Sequence, residues 1–271
     1  GEVWYNSTTG TLRSLLVSEA WASGAPLIQT RGQITMFGSQ TSSVAAGGSG
    51  PGATMYNDTE EYNGSGWSVG GDLNTTREGS HGAGVLTAGV IVGGFIEPTT
   101  YSSDVEEYDG STWTSVTSTP YAVNNVGAFG TQAASMFAGG DPGSKTTTLE
   151  YDGTNWTAGG ALSTGRAQQG GACLAPLSAG LIWGGTPLST ATETYDGTSW
   201  TAGNVLPAGV QFGGGAGTQT AALSFGNFSG PTTITTATTK YDGTSWTAAP
   251  ALGISQARSQ GSGSQTAALL A

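Results

Sequence analysis

A tyrosine followed five residues later by a tryptophan recurs five times in this chain, and this repeat restricts the possible folds more than any other feature. Successive tyrosines are 46, 43, 44 and 46 residues apart, and a sixth tryptophan, Trp21, lies 46 residues before Trp67. A constant period of about 45 residues is typical of proteins built from copies of one structural unit. The five pairs are Tyr62/Trp67, Tyr108/Trp113, Tyr151/Trp156, Tyr195/Trp200 and Tyr241/Trp246.

Each unit is predicted to contain four short strands. A glycine-rich segment leads, at four places, to a Gly-Thr-Gln or Gly-Ser-Gln turn. An apolar run then ends in Gly-Gly, except in the fifth unit, which has Gly226-Asn227, and a variable loop precedes the tyrosine. Asp-Gly between the tyrosine and the tryptophan is a strong hairpin signal, because glycine accepts the positive φ of such turns. With 47 glycines and no sustained helical stripe, the chain is predicted to be all-β. We predict a six-bladed β-propeller with four-stranded antiparallel blades.

The two ends of the chain are predicted to share the sixth blade. Residues 264–271 match the first hairpin and second strand of a unit, and residues 2–10 resemble a divergent third strand and turn. Joining them would remove an open sheet edge. We therefore expect a single propeller over residues 1–271, with blade six formed by about residues 1–21 and 258–271. One detail departs from the repeat, because Tyr5 and Trp21 are 16 residues apart.

The charge and the rare residue types exclude several functions. Seven Lys and Arg against 18 Asp and Glu give a net charge of −11, which disfavours nucleic acid as a partner. The longest apolar stretch is too short and glycine-rich to span a bilayer, so we expect no membrane insertion. The single His81 and single Cys173 cannot form a Cys/His zinc site or an internal disulfide. We expect no metal and no cofactor. The chain starts without an initiator Met, so we expect an excerpt or a processed product.

The order Gly-Gly, Tyr-Asp and Trp resembles the kelch repeat over essentially the whole chain. Tyr-Asp-Gly-Thr-Ser-Trp-Thr-Ala, Gly-Thr-Gln-Thr-Ala-Ala-Leu and the opening Glu-Val-Trp-Tyr-Asn-Ser-Thr-Thr-Gly-Thr-Leu are similar to Gly/Thr-rich repeats in virion structural proteins of phages that infect marine cyanobacteria. The first resemblance implies a propeller, which hosts enzymes, scaffolds and adhesins alike. The second implies a virion or extracellular protein in a tail-fibre, adhesion or capsid-decoration role.

No catalytic residue is predicted. The kelch-like copper oxidases use a Tyr–Cys crosslink and several histidines, which one His and one Cys cannot supply. A nucleophilic triad would need His81 as its base, and we interpret His81 as a structural or channel-lining residue of an inner strand. Four recurring aspartates could suggest calcium, but the favoured interpretation is that each one caps its own turn. They are Asp109, Asp152, Asp196 and Asp242.

The candidate ligand site is placed on the face that carries the loops between second and third strands and the connections between blades, because these segments vary while the hairpin turns do not. Arg31, Arg77 and Arg166 stand ten residues after their tryptophans, and Arg258 is displaced by two. They could form a cationic ring at the channel rim that binds an anionic group such as an acidic sugar. Alternatively, each Arg bonds to a Glu or to backbone carbonyls. Aromatic residues that could stack on sugars are Tyr56, Tyr101, Tyr121 and Phe228.

These observations lead to one functional hypothesis and two rivals. The chain is expected to be a non-enzymatic virion propeller that contacts a host-surface glycan or docks on another virion protein. The rivals are a purely architectural capsid or tail decoration, and a secreted kelch-type carbohydrate-active protein. The sequence leaves the oligomeric state open.

Overall fold

The computed structural model describes residues 3–6, 11–14, 20–96, 100–230 and 232–271. The described part consists of short strands and loops, and its only helical segment is one 3-10 turn, Pro51–Ala53. The prediction of an all-β propeller with four-stranded antiparallel blades is confirmed.

The strands follow the repeat closely. The chain begins with an antiparallel pair, β1 (Val3–Asn6) and β2 (Thr11–Ser14). Blade one contains β3 (Thr35–Ser39), β4 (Ser42–Ala46), β5 (Thr59–Tyr62) and β6 (Trp67–Val69). Blade two contains β7 (His81–Val85), β8 (Ala88–Val92), a small loop hairpin of β9 (Phe95–Ile96) and β10 (Thr100–Tyr101), then β11 (Val105–Tyr108) and β12 (Trp113–Val116).

The remaining blades repeat this order. Blade three contains β13 (Gly127–Thr131), β14 (Ala134–Ala138), β15 (Thr148–Tyr151) and β16 (Trp156–Ala158). Blade four contains β17 (Gly170–Gly171), β18 (Gly180–Trp183), β19 (Thr192–Tyr195) and β20 (Trp200–Ala202). Blade five contains β21 (Gly214–Thr218), β22 (Ala221–Phe225), β23 (Thr238–Tyr241) and β24 (Trp246–Ala249). A last pair follows, β25 (Gly261–Ser264) and β26 (Ala267–Leu270).

The number of blades differs from the prediction. The described residues form five four-stranded blades, not six, and β25 with β26 forms a two-stranded sheet. β25 nevertheless lies in the ring, because it packs against both β21 and β3, and Ser262 Oγ is 2.6 Å from Ser43 Oγ. The predicted sharing of blade six between the two ends is not observed, since β1 pairs with β2 in a separate sheet. The physical reason is that local residue preferences do not select the edge that a strand pairs with, because every open sheet edge offers the same backbone groups.

The recurring aromatic residues fill the gaps between neighbouring blades. The five repeat tyrosines are buried, and each lies against the tryptophan of its own blade. Trp113 Nε1 donates to Thr59 Oγ1 of the preceding blade at 2.9 Å, and Tyr151 Oη donates to Glu107 of the preceding blade at 2.9 Å. Burying such a ring contributes roughly 2–3 kcal/mol.

Two further repeated residues, an aspartate and a glutamine, make hydrogen bonds at the hairpin turns. Asp152 Oδ1 accepts hydrogen bonds from the backbone N–H groups of Thr154 and Asn155, at 2.8 and 2.7 Å, and the other turn aspartates do the same. These bonds favour the ionised carboxylate and lower the pKa of Asp109 to about 2. In the first hairpin, Gln132 Nε2 donates to two carbonyl oxygens of the preceding blade. We call this contact the glutamine bridge.

The meander gives the ring two distinct faces. Both hairpin turns of every four-stranded blade lie on one face, which we call the turn face, because successive strands are antiparallel neighbours. The loops between second and third strands and the connections between blades therefore lie on the opposite face. We call that the loop face, and it carries the candidate site.

Candidate functional site

Three of the four arginines predicted at the channel rim lie inside blades instead. Arg77 Nη2 is 2.6 Å from Glu106 Oε1, and neither side chain is more than 1% exposed. Arg31 pairs with Glu60 at 3.2 Å, and Arg166 pairs with Glu193. Each guanidinium also bonds to backbone carbonyl oxygens of its own blade. This geometry matches the alternative interpretation, in which each arginine bonds to a glutamate and to backbone carbonyl oxygens.

Each of these glutamates also holds the connection that enters its blade. Glu106 accepts from the backbone N–H of Asn74 at 2.7 Å, and Glu193 accepts from that of Ser163 at 2.9 Å. Glu60 accepts from Ile28 N at 2.7 Å. We call this set of arginine, glutamate and backbone N–H the Arg–Glu clamp. It fixes the connection against the third strand in blades one, two and four.

Blades three and five replace all parts of the clamp together. In blade three the arginine position is Val123 and the glutamate position is Leu149, both buried. The N–H donor position there is Pro120, which has no N–H to donate. Blade five has Val210, Thr239 and Pro207 at the same three positions. The joint replacement indicates that the clamp is a structural unit, because a buried charge without its partner is costly.

The rim of the channel is formed by six equivalent residues, one from each position in the ring. From the second rim residue onward, each backbone N–H donates a hydrogen bond to the carbonyl oxygen of the preceding rim residue. The five bonds run from residue 79 to 33, 125 to 79, 168 to 125, 212 to 168 and 258 to 212. Their lengths are 2.8–3.2 Å. All six have positive φ, and they are Gln33, Gly79, Asn125, Gln168, Phe212 and Arg258.

Arg258 and Phe228 are the two predicted site residues that come together at this rim. The Arg258 guanidinium lies 4.8 Å from the ring centre of Phe212, and Phe228 packs edge-on against Phe212 at 5.8 Å. Arg258 Nη1 also donates to Gln33 Oε1 at 3.3 Å. Arg258 is exposed and the two aromatic rings are half-buried. The mouth thus combines a cation, apolar ring surface and side-chain amides. We call Phe212, Phe228 and Arg258 the mouth cluster.

The other predicted aromatic residues lie elsewhere on the loop face. Tyr56 accepts a hydrogen bond from Gln29 at 3.1 Å. Tyr101 packs edge-on against Phe95 at 5.1 Å. Lys145 Nζ lies 5.4 Å from the ring centre of Tyr121. No contact joins these three tyrosines to the mouth cluster among the described residues.

The channel below the mouth is narrow and polar. Its upper cavity is enclosed by the rim residues and has room of about 30 Å³, which is enough for water. His81 Nε2 is 2.9 Å from Gln260 Nε2, and His81 Nδ1 is 3.3 Å from the carbonyl oxygen of Gly79. Both contacts fit a neutral imidazole that donates through Nδ1 and accepts through Nε2. Burial lowers the pKa of His81 to about 4 and raises the pKa of the channel-lining Cys173 to about 11.

His81 is expected to make stability depend on pH. Above about pH 6.5 the imidazole is neutral in the folded and unfolded states, so it contributes nothing. Between about pH 6.5 and its folded pKa of about 4 only the unfolded chain binds the proton, so stability falls as the pH is lowered. The loss approaches about 3 kcal/mol. Denaturant unfolding at pH 7 and pH 4.5 should show a smaller pH-dependent loss in His81→Asn than in the parent chain. Equal losses would contradict this role.

Sequence reasoning missed Phe212, Gln33, Asn125 and Gln168 as rim residues. Their signal was present in the repeat, because they are separated by the same 43–46 residue steps as the tyrosines. The chemical identity of the position varies from one blade to the next, so the repeat did not reveal it. Only the backbone conformation is common to all six positions.

Among the described residues, no group of three or more His, Cys, Asp or Glu side chains could hold a metal ion. Within the same ranges, no helix has the length and apolar character needed to cross a membrane. No protein-family model matches this chain, and no curated protein matches its sequence.

Proposed function

We propose that this chain is a non-enzymatic propeller of a phage virion, in a tail or surface fibre, that attaches to a host-surface glycan through the mouth on its loop face. The protein acts outside the cell, as part of a virion. We also propose that the ring is six-bladed in its complete form, with the N-terminal and C-terminal strands sharing the sixth blade.

The observation that carries the binding role is the strained backbone of the rim. Gly79 satisfies the positive φ of its position at no cost, yet the five equivalent positions carry side chains at φ values of 53–60°. A non-glycine residue there costs about 1–2 kcal/mol. Glycine is abundant in this chain, with 47 copies. Side chains kept at five rim positions despite that strain support a role in contacting a ligand.

The chemistry of the mouth cluster supports a carbohydrate ligand. The exposed faces of aromatic rings stack on the apolar faces of sugars, while amides and a guanidinium bond to hydroxyl and carboxylate groups. Phe212, Phe228 and Arg258 offer these groups next to Gln33 and Gln168. The resemblance of the repeats to those of cyanobacterial phage virion proteins implies a tail-fibre, adhesion or capsid-decoration role rather than an enzymatic one.

A glycan array probed with the purified chain tests this proposal. We expect binding to a restricted set of glycans, and Arg258→Ala and Phe228→Ala should each weaken it about tenfold or more. Lys145→Ala is the matched control, because Lys145 also lies over an aromatic ring on the loop face but outside the mouth cluster. It should bind like the parent chain, and melting curves should show that all variants are folded.

Three outcomes would count against the proposal. Absence of binding to any neutral or acidic glycan would favour docking on another virion protein or a purely architectural role. Equal loss of binding in Lys145→Ala and Arg258→Ala would remove the mouth as the site. Turnover of a sugar by the purified chain would make it a kelch-type carbohydrate-active enzyme.

A further inference from the structure

The outer edge of β26 is the open edge of the ring. In all five complete blades the second strand pairs with a first strand and a third strand. Among the described residues β26 pairs only with β25. A cavity of about 620 Å³ lies beside it, and its lining includes Trp21, Trp67, Leu252 and Leu270. An open edge next to apolar surface is the kind of site that binds an added strand.

Trp21, in the segment that leads into this cavity, already lies where the tryptophan of a sixth blade would lie. Trp21 packs edge-on against Phe225 of blade five at 5.1 Å. Trp113 and Trp200 make the same kind of edge-on contact with Phe37 and Phe129 of their preceding blades, at 6.3 and 6.2 Å. Six residues separate Trp21 from the end of β2, and the seven Cα–Cα steps between Ser14 and Trp21 reach at most about 25 Å. The β1–β2 pair is therefore tethered close to the open edge.

The β1–β2 pair has the geometry of an outer hairpin. Its last pair is Asn6↔Thr11, which leaves four residues in the connection. The third and fourth strands of the complete blades also enclose four residues, for example between Tyr62 and Trp67. Among the described residues, no outer pair of strands lies beside β26, and β1 and β2 are two antiparallel strands connected in the same way.

The glutamine bridge of blade one lacks one of its two acceptors, because β26 is present but no third strand pairs with it among the described residues. Gln219 and Gln265 each donate to two carbonyl oxygens of the preceding blade, one at the start of its second strand and one at the end of its third. Gln40 is the equivalent residue of blade one and lies beside β25, since a Cβ on Gly263 would be 3.1 Å from Gln40 N. Within the described part of the chain, Gln40 makes no hydrogen bond of this kind. Its second acceptor would be the end of a third strand beside β26.

From these four observations we propose that the open edge of β26 is the docking site of this chain's own N-terminal hairpin, with β1 next to β26, β2 outermost, and Gln40 bridging to both strands. The inference deepens the six-bladed ring proposed above, and it names the strand, the edge and the bridging residue. It is independent of glycan binding, which is measured at the mouth.

Hydrogen exchange of the full chain and of a variant lacking residues 1–14 tests the docking. The amides of Ala267–Leu270 should exchange at least about tenfold faster in the shortened chain, because the added strand that protects them is lost. The internal control is Ala221–Phe225, whose third-strand partner is present in both chains, and its exchange should not change. Equal exchange at β26 in the two chains would overturn the proposal.

Two single substitutions keep the proposal testable if the shortened chain does not fold. Tyr5→Pro removes a backbone donor from β1 and should speed exchange at Ala267–Leu270. Gln40→Ala should lower the Tm about as much as Gln132→Ala, whose bridge is already formed. No change of Tm in Gln40→Ala, or protection of β26 that rises with protein concentration, would refute docking within one chain. The latter result would identify a strand of a second copy as the occupant.

Discussion

Replacement of Arg166 by leucine should lower the free energy of unfolding by about 3–5 kcal/mol. The substitution leaves Glu193 buried without its counter-charge, and Glu193 is only 1% exposed. Its remaining bond, from the backbone N–H of Ser163, does not neutralise the carboxylate. Equilibrium denaturation with urea measures the change.

The chain itself supplies the control for this prediction. Blade three has proline, valine and leucine at the three clamp positions, so Ser163→Pro, Arg166→Val and Glu193→Leu together copy a set that the fold already accepts. The triple variant should recover to within about 1–2 kcal/mol of the parent chain, because no buried charge remains. If the triple variant were as unstable as Arg166→Leu, the clamp would not be an exchangeable unit.

Gly93→Ala should destabilise the chain by about 3 kcal/mol or more. Gly93 has a φ of +63°, and a methyl group there would overlap the carbonyl oxygen of Val123 in the next blade. That carbonyl accepts the N–H of Gly94 at 2.9 Å, so it cannot move away without breaking the contact between blades. Thermal unfolding monitored by tryptophan fluorescence measures the loss.

Gly52→Ala is the matched control for Gly93→Ala. Gly52 has a similar φ of +75°, but a Cβ there would meet nothing within 4 Å. Only the backbone strain remains, which costs about 1–2 kcal/mol. Similar losses in the two variants would show that conformational strain, and not the close approach of neighbouring blades, makes glycine necessary in the Gly-Gly pair.

The parts of the fold that depend on neighbouring residues in the sequence were predictable. The Asp-Gly turns, the Tyr–Trp hairpins and the Gly-Gly ends of second strands are local features, and the structure contains them at the predicted positions. The aspartates cap their turns through their own backbone, as the turn chemistry required. A repeated local signal determines a repeated local structure.

The candidate site was only partly predictable, because it depends on pairs that are distant in sequence. The arginines at 31, 77 and 166 entered the prediction as a ring, but each one has a glutamate 27–29 residues later in its own blade. The absence of both residues from blade three was visible in the sequence and would have indicated pairing. The rim residues share a spacing in the sequence but no side-chain chemistry, and their common feature is the positive φ of the backbone.

The prediction of six four-stranded blades was wrong for a related reason, since the described residues form five. The sequence of β1 and β2 predicts strands, and strands are observed. Which edge they pair with is not written in local residue preferences, since any open edge offers the same backbone groups. The repeat could therefore predict the ring position of β25 but not the completion of its sheet.

The hydrogen bonds of the rim form a ring in which one link differs from the others. Five of its hydrogen bonds join backbone groups. Between Arg258 and Gln33 the hydrogen bond joins two side chains instead, at 3.3 Å. A mechanical force on any loop is transmitted from blade to blade through these bonds, so it reaches the Arg258–Gln33 contact wherever it is applied. In the chain that lacks residues 1–14, the ring should then part first between β25 and β3, leaving the five complete blades joined as one open arc.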